Sequence, residues 1–447
     1  MSMRSRRMSP SLPREGNARA GATPASEAIL AEPVADAGSD EVPGSPQRRS
    51  FLFFFVLAWF GLSLATGTIG GAAIPKVFAF LDDDTKGLNL SITAAIGGIV
   101  VMVITPLFGR FSDRTMSSLG KRRPWILGGA IAGTVGVVVL AFSGSVWMVV
   151  LGWIIVQCGF GASNAAVHAL LADQIPKRIR ARVAAVASAS AGLALIVGAS
   201  LIAALPNGAQ WSWFLVPGAL GALFSALLFF GLRDIVRTER PAPWKWSDVV
   251  ATYWLDPIRY RDFFWAWSCR LLVTMSIVSV STYLLFFIID HLGVPAEEAS
   301  GVQAITLIVF TVGNIVMTIL FGWISDRTGR RKGIVWASCA LSAAGLLVAI
   351  AAPDMFLVGI LIVGAAQGAY VSVDIALMTE VLPTFEEAGK DLGIVALSYQ
   401  LPQLLVPVVA VPLLAIGGGE NYTALYVAAV VFAVLGGLSV LPIKSVR

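Results

Sequence analysis

Twelve stretches of this chain are apolar over about 20 residues each, the length a helix needs to cross a bilayer, and they are parted by short polar loops. In order they span 51–75, 91–109, 124–142, 147–171, 183–205, 212–232, 263–289, 301–324, 333–352, 355–378, 392–416 and 422–442. In hydrocarbon the backbone must satisfy its own N–H and C=O groups, so each such stretch reads as a transmembrane helix. An outer-membrane barrel would show alternating segments of ~10 residues instead. Composition agrees, with 57% hydrophobic and 13% charged residues against ~25% charged in a soluble domain. A soluble enzyme, a disordered scaffold and a secreted disulfide-rich module are thereby excluded. Cys158, Cys269 and Cys339 fall singly in apolar runs, so neither a metal knuckle nor a CxxC pair exists, and no cofactor is expected.

Charge sets the expected topology. Of the 32 Lys and Arg residues, 29 fall in the tail, the even-to-odd loops and the C-terminus; Lys76 and Lys86 lie on the other side, and Arg270 within a span. The positive-inside rule then places both termini in the cytoplasm. It also accounts for the net charge of +5 without nucleic acid. Residues 1–50, rich in Pro, Ser, Gly and charge, read as a disordered cytoplasmic tail, and no apolar segment follows Arg4, Arg6 and Arg7 to make a cleaved signal. The acidic run Asp82-Asp83-Asp84 reads as a solvated outer patch.

The chain also repeats itself. Gly109-Arg110-Phe111-Ser112-Asp113-Arg114 returns as Gly322-Trp323-Ile324-Ser325-Asp326-Arg327, and Ala169-Leu170-Leu171-Ala172-Asp173 returns as Ala376-Leu377-Met378-Thr379-Glu380. Two matches at nearly one offset predict an all-α polytopic protein of two six-helix bundles in the same orientation, a parallel repeat found in one large class of secondary transporter. The bundles are expected at 51–232 and 263–447, joined by a cytoplasmic linker over 233–262.

These motifs resemble the major facilitator superfamily. Gly109, Asp113 and Arg114 with Gly120, Lys121, Arg122 and Arg123 are similar to its loop 2–3 signature, and Gly322, Asp326, Arg327, Arg330 and Arg331 form the second copy. The glycines suit close helix approach. The charged pairs suit a cytoplasmic gate that locks one bundle against the other and releases as they rock. Within the superfamily the chain resembles sucrose/proton and broader glycoside–cation symporters. That likeness rests on Lys121-Arg122-Arg123-Pro124-Trp125, Ala169 to Asp173, Arg270, and Ser372 to Gln403. Plant sucrose carriers usually have Arg where this chain has His168. No acid lies within 91–109 to form a melibiose-type sodium site, the Pro-Glu-Ser-Pro-Arg signature is absent after span six, and span five lacks the internal proline of drug antiporters.

Polar groups inside spans are costly, ~2.5–3.5 kcal/mol for a charge on insertion scales, and are weighed singly. Arg270 and Asp374 sit ~10 and ~8 Å from the cytoplasmic ends of spans seven and ten, so a pair is expected, either a structural salt bridge or a substrate and coupling site. By resemblance Asp173 is linked to proton coupling; as the mate of Glu380 it suits a gate with Arg114 or Arg327, and Glu380 is assigned to the gate. His168, one turn before Asp173, suits a proton step or plain packing. Asn164, Tyr283 and Gln403 are the preferred groups for hydrogen bonds to a sugar, with Trp59, Trp153 and Trp267 as aromatic faces.

The resulting expectation is a monomeric, multi-pass secondary transporter of the cell membrane, not an enzyme, moving a sugar or glycoside with protons by alternating access. The rivals are an exporter of a small amphipathic metabolite on the same fold and a membrane sensor or assembly factor that transports nothing.

Overall fold

The computed structural model describes residues 50–81, 84–236, 260–381, 388–417 and 419–443. The expected tail, most of the expected linker and Asp82-Asp83 lie outside the described residues. Twelve membrane-length helices are present: α1 Phe51–Leu81, α2 Lys86–Arg114, α3 Arg123–Ala141, α4 Val146–Asp173, α5 Lys177–Ala204, α6 Gln210–Gly231, α7 Arg261–Asp290, α8 Ala296–Thr328, α9 Arg331–Ala351, α10 Phe356–Glu380, α11 Ala388–Leu414 and α12 Tyr422–Ser439.

Several helices outrun their apolar stretch. α5 begins at Lys177 rather than at residue 183, and its basic first turns carry Arg180, whose guanidinium donates to the carbonyls of Ala172 (2.8 Å) and Ile175 (3.1 Å). The Ala172 carbonyl lies in the last turn of α4 and needs a donor from outside its own helix. α11 runs unbroken through Pro402, Pro407 and Pro412, where the sequence suggests a broken span. α1 contains a π-helical turn, Ile69–Ala73, just before Pro75. In a regular helix the N–H of residue 75 would pair with the Gly71 carbonyl, but proline has none to give. Gln303 Nε2 of α8 donates to that carbonyl instead, at 3.0 Å.

Packing follows the repeat. α1 lies on α5 and α6, α2 on α4, and α3 on α4 and α6; α7 lies on α11 and α12, α8 on α10, and α9 on α10 and α12. Adding six to each label of the first set gives the second. The halves meet along two seams, α2–α11 and α5–α8, which the same exchange interchanges. One close contact also corresponds: a Cβ on Gly136 of α3 would lie 2.8 Å from the Gly152 carbonyl of α4, and one on Gly345 of α9 would lie 2.8 Å from the Gly359 carbonyl of α10. Small residues let these backbones touch, as in other membrane bundles.

The expected close approach at Gly109 and Gly322 is not made. A Cβ on either faces open space among the described residues. On the α2–α11 seam, Gly87 lies against Leu414 and Gly98 against the Gln403 backbone. The seam is therefore close-packed at Gly87 and Gly98, whereas toward the end where the basic loops lie Gly109 meets no neighbour among the described residues. Below, that end is the basic end, and the end at Gly87 is the opposite end.

Gly136→Val and Gly359→Val should each lower stability by about 1–3 kcal/mol, because a backbone carbonyl cannot yield to the new methyl groups. Gly109→Ala and Gly322→Ala should leave it unchanged or slightly raised, since alanine favours helix. Thermal unfolding in detergent distinguishes the two classes.

Candidate functional site

Three polar clusters occupy the interior. At the basic end of the first half, Arg122 is buried and central. Its Nε donates to Asp173 at 2.8 Å, Nη1 to Ser112 Oγ at 2.7 Å, and Nη2 pairs with Asp113. Lys121 Nζ also reaches Asp173, at 3.0 Å. Asp234, two residues beyond Leu232 at the end of α6, accepts from the backbone N–H groups of Arg122 and Arg123, the latter at 2.9 Å. It thus caps α3, whose first donors have no partner within their own helix. Gly120 has φ +102°, and a Cβ there would strike the Asp234 side chain. All these contacts stay within the first half. Asp113 is paired with Arg122, and Asp173 meets Arg122 and Lys121.

The second cluster lies within the membrane in the other half. Arg270 of α7 and Asp374 of α10, both buried, form an ion pair at 3.3 Å. Tyr370 donates to Asp374 Oδ1 at 2.8 Å and Tyr399 of α11 to Oδ2 at 3.3 Å. The Arg270 guanidinium lies 3.8 Å from the Tyr399 ring centroid, a cation–π geometry. Tyr399 is 45% exposed, so one wall of this buried pair reaches accessible space. The Arg270 Nε has no hydrogen-bond partner among the described residues. In the first half, His168 of α4 lies flat on Trp59 of α1, with centroids 3.9 Å apart and planes 8° from parallel, and His168 is exposed.

The third cluster closes the opposite end. Lys86, whose side chain is 2% exposed, pairs with Asp290 at 2.8 Å and Glu420 at 3.2 Å, both from the second half. The Gly87 N–H donates to Glu420 Oε1 at 3.3 Å. Ser91 and Tyr283 share a hydrogen bond of 2.6 Å, and Asn207 donates to the Glu297 carbonyl at 3.2 Å. Together with Gln303 to Gly71, these contacts join the halves. All lie toward the opposite end.

A family match now fits the geometry: the Major Facilitator Superfamily pattern matches residues 50–312 and 299–446. The chain belongs to the major facilitator superfamily. It is 25% identical over 335 residues to a protein of Agrobacterium vitis named "Putative tartrate transporter", covering 68% of this chain and 70% of that one. It is 37% identical over 114 residues to sucrose transport protein SUT3 of Oryza sativa subsp. indica, 25% of this chain and 22% of that protein. In fold it is similar to the nucleoside transporter NupG (TM-score 0.66, 14% identity, 88% of this chain and 99% of that one) and to a D-xylose–proton symporter (0.65, 17%, 89% and 98%). The protein is thus a multi-pass membrane transporter of this superfamily.

The expected site residues scatter over these clusters. Arg270 and Asp374 meet. Tyr283 is fully buried in the inter-half closure rather than lining accessible space, because Ser91 of α2 takes its hydroxyl. Gln403 is exposed on α11, where its backbone abuts Gly98, and Asn164 is half-buried on α4. Arg327 lies over the Trp323 ring at 4.1 Å, while Asp326 and Arg330 are exposed. The side chain of Glu380 lies outside the described residues. Sequence reasoning missed Asp234, Asp290, Glu420 and the role of Lys86. For Asp234 there was a signal, an acid just past the sixth apolar run opposite three basic residues; for the others, sequence spacing carries none.

Burial pushes the Glu420 carboxyl above the usual carboxylate range, against the opposing pull of Lys86. The closed state therefore binds a proton more readily than a state with Glu420 in water, so acid favours closure. That contribution is complete below the ordinary carboxylate range and is lost as pH rises through the raised value. A cysteine at buried Thr93 should label faster with an impermeant maleimide as pH rises, beyond the rise seen in a Glu420→Gln background. Parallel pH profiles in the two backgrounds would sink this reading.

Proposed function

We propose that this transporter is a proton-coupled symporter of a sugar or glycoside, working by alternating access across the cell membrane with both termini in the cytoplasm. The observation that carries the reading is the Arg270–Asp374 pair, ringed by Tyr370 and the half-exposed Tyr399. A buried acid whose charge is met by one arginine has two stable uses. Ionised, it holds Arg270. Protonated, it releases the guanidinium, whose Nε has no acceptor among the described residues, to donate to solute hydroxyls. Proton and solute then favour each other's binding, as a symporter requires.

The first half offers Trp59 with His168 stacked on it. An aromatic face against the CH surface of a sugar ring, opposite a set of donors and acceptors, is a combination suited to a carbohydrate. The partial likeness to rice sucrose transport proteins supports the same class. In this reading Asp173 serves the basic-end network, held by Arg122 and Lys121, and Asp374 is the stronger candidate for the coupling proton.

A second reading has its own support. The tartrate-transporter likeness runs through two thirds of the chain, and a buried arginine suits a carboxylate. A hydroxy-acid would then compete with Asp374 for Arg270.

Both are tested by uptake of labelled sucrose, maltose and tartrate into proteoliposomes under an imposed inward proton gradient. The symporter reading expects accumulation of a sugar that a protonophore abolishes. Asp374→Asn should cut gradient-driven accumulation by the ~5–150-fold typical of a coupling energy while leaving solute exchange measurable. Asp173→Asn should instead lower protein stability. Accumulation of tartrate alone would transfer the assignment to hydroxy-acids. Accumulation of none by the folded protein would favour an exporter.

A further inference from the structure

A serine or threonine hydroxyl inside a membrane helix commonly satisfies itself by donating to a carbonyl of the preceding turn. On α7, Thr274 and Ser279 do so, to the carbonyls of Arg270 and Met275 at 2.7 and 2.8 Å. Ser276 stands between them and does not. It is 1% exposed, and its Oγ has no hydrogen-bond partner among the described residues. A buried hydroxyl left in that condition is costly. Ser276 borders a cavity of about 10 Å³ between α7, α9, α10 and α12, lined also by Ser338, Ser342, Gln367 and Tyr370. About 10–15 Å³ suffices for one water molecule where polar groups can bond it. Ser276 supplies an unused hydroxyl, and Gln367 an amide that both donates and accepts.

Tyr370 joins this cavity to the Arg270–Asp374 pair. Gln367, Tyr370 and Asp374 follow one another at spacings of three and four, so they share a face of α10. Tyr370 is buried, and its hydroxyl donates to Asp374 Oδ1 at 2.8 Å. That direction is forced while Asp374 is ionised, because a carboxylate only accepts. Arg270 of α7 and Tyr399 of α11 face the other oxygen, Oδ2. The Cys269 thiol of α7, hydrogen-bonded to Cys339 of α9, is also within electrostatic reach. A proton added to this carboxylate is repelled from the oxygen that meets the guanidinium and settles on Oδ1. There the Asp374 O–H points at Tyr370 Oη, and the buried tyrosine hydrogen needs a new acceptor.

We propose that the cavity binds one water molecule, held by Ser276 and Gln367, and that this water lets the Tyr370 hydroxyl reverse when Asp374 takes up a proton. The inference rests on the reading of Asp374 as the coupling acid. With Asp374 ionised, the water donates to Tyr370 Oη and Tyr370 donates to Oδ1. With a proton on Oδ1, the Asp374 O–H donates to Tyr370 Oη, and the tyrosine O–H donates to the water. Tyr370 and the water each keep their own hydrogens throughout. The one O–H bond formed is that on Asp374, with the proton the gradient supplies. Water suits this place because it turns from donor to acceptor without moving, and a bridging water bonds nearly as well as a direct partner. Ser276 and Gln367 are thus positioning residues, acting on Asp374 through the water and Tyr370.

The test uses the full-length protein in lipid nanodiscs. A density map that resolves ordered water should show one water within hydrogen-bonding distance of both Ser276 Oγ and Tyr370 Oη. A dry cavity, or water out of reach of Tyr370, would overturn the site. Infrared difference spectra between acid and neutral samples then follow the C=O band of protonated Asp374, identified by its loss in Asp374→Asn. Ser276→Ala and Gln367→Met should each shift that band. In a Tyr370→Phe background, which removes the hydroxyl that the water serves, neither should shift it further. Melting temperatures confirm that each variant is folded. A band unmoved by both substitutions, or moved equally with and without the Tyr370 hydroxyl, would overturn the reversal while the coupling reading stood. The lack of any band sensitive to Asp374→Asn would overturn the coupling reading and the reversal with it, and the density map would still decide the water.

Discussion

One ammonium group governs the state in which this protein stands. Lys86 is nearly sealed from solvent and is shared by Asp290 and Glu420, which come from two places in the other half of the chain. Removing a cation from water is costly, and only partners of good geometry offset that cost. The partners here exist only while the halves touch at this end. Around them gather the Ser91–Tyr283 hydrogen bond and the Gln303 contact to the carbonyl that Pro75 leaves open in α1.

The repeat explains the scaffold, and departures from the repeat explain the chemistry. Helix packing and the Gly136–Gly152 and Gly345–Gly359 contacts are duplicated across the halves, since both must solve the same problem of closing backbones against one another in lipid. Side-chain chemistry is not duplicated. At a similar depth the first half holds the Trp59–His168 stack and the second the Arg270–Asp374 pair. A duplicated fold thus presents unlike surfaces to whatever lies between its halves.

Much of this was legible in the sequence because it depends on local composition. Apolar length fixes the spans, the distribution of Lys and Arg fixes which loops share a side, and the recurrence of Gly-x-x-x-Asp-Arg exposes the repeat. Arg270 and Asp374 could be paired in advance because a charge inside a span demands a partner, their distances from the span ends are similar, and the resemblance to the superfamily implies that spans seven and ten line one cavity. What escaped notice depends on which surfaces face each other. Lys86 reads as a stray charge on the outer side until Asp290 and Glu420, 204 and 334 residues away, are seen to meet it. The sequence leaves Asp173 between proton coupling and a gate, and only the turn at Gly120 reveals that Arg122 reaches both Asp173 and Asp113. Tyr283 looks like any polar group on a cavity helix, and only the position of Ser91 assigns it to closure.

Alternating access, as proposed, needs two end states of similar free energy, because a state favoured by several kcal/mol would trap the cycle. The closed opposite end gains a shared buried lysine and four further inter-half hydrogen bonds. Opening that end returns Lys86, Asp290 and Glu420 to water, so hydration offsets much of the lost pairing. Closing the basic end must supply the remainder, and Gly109 and Gly322 show how. Each presents a side of its helix with no Cβ and no neighbour in the present state, on the seam helices α2 and α8 that the repeat makes equivalent. Helices brought together at those points would gain close backbone packing without displacing any side chain there. The glycines of the repeated motif then matter most in the state not seen here, which is why they are left uncovered in this one.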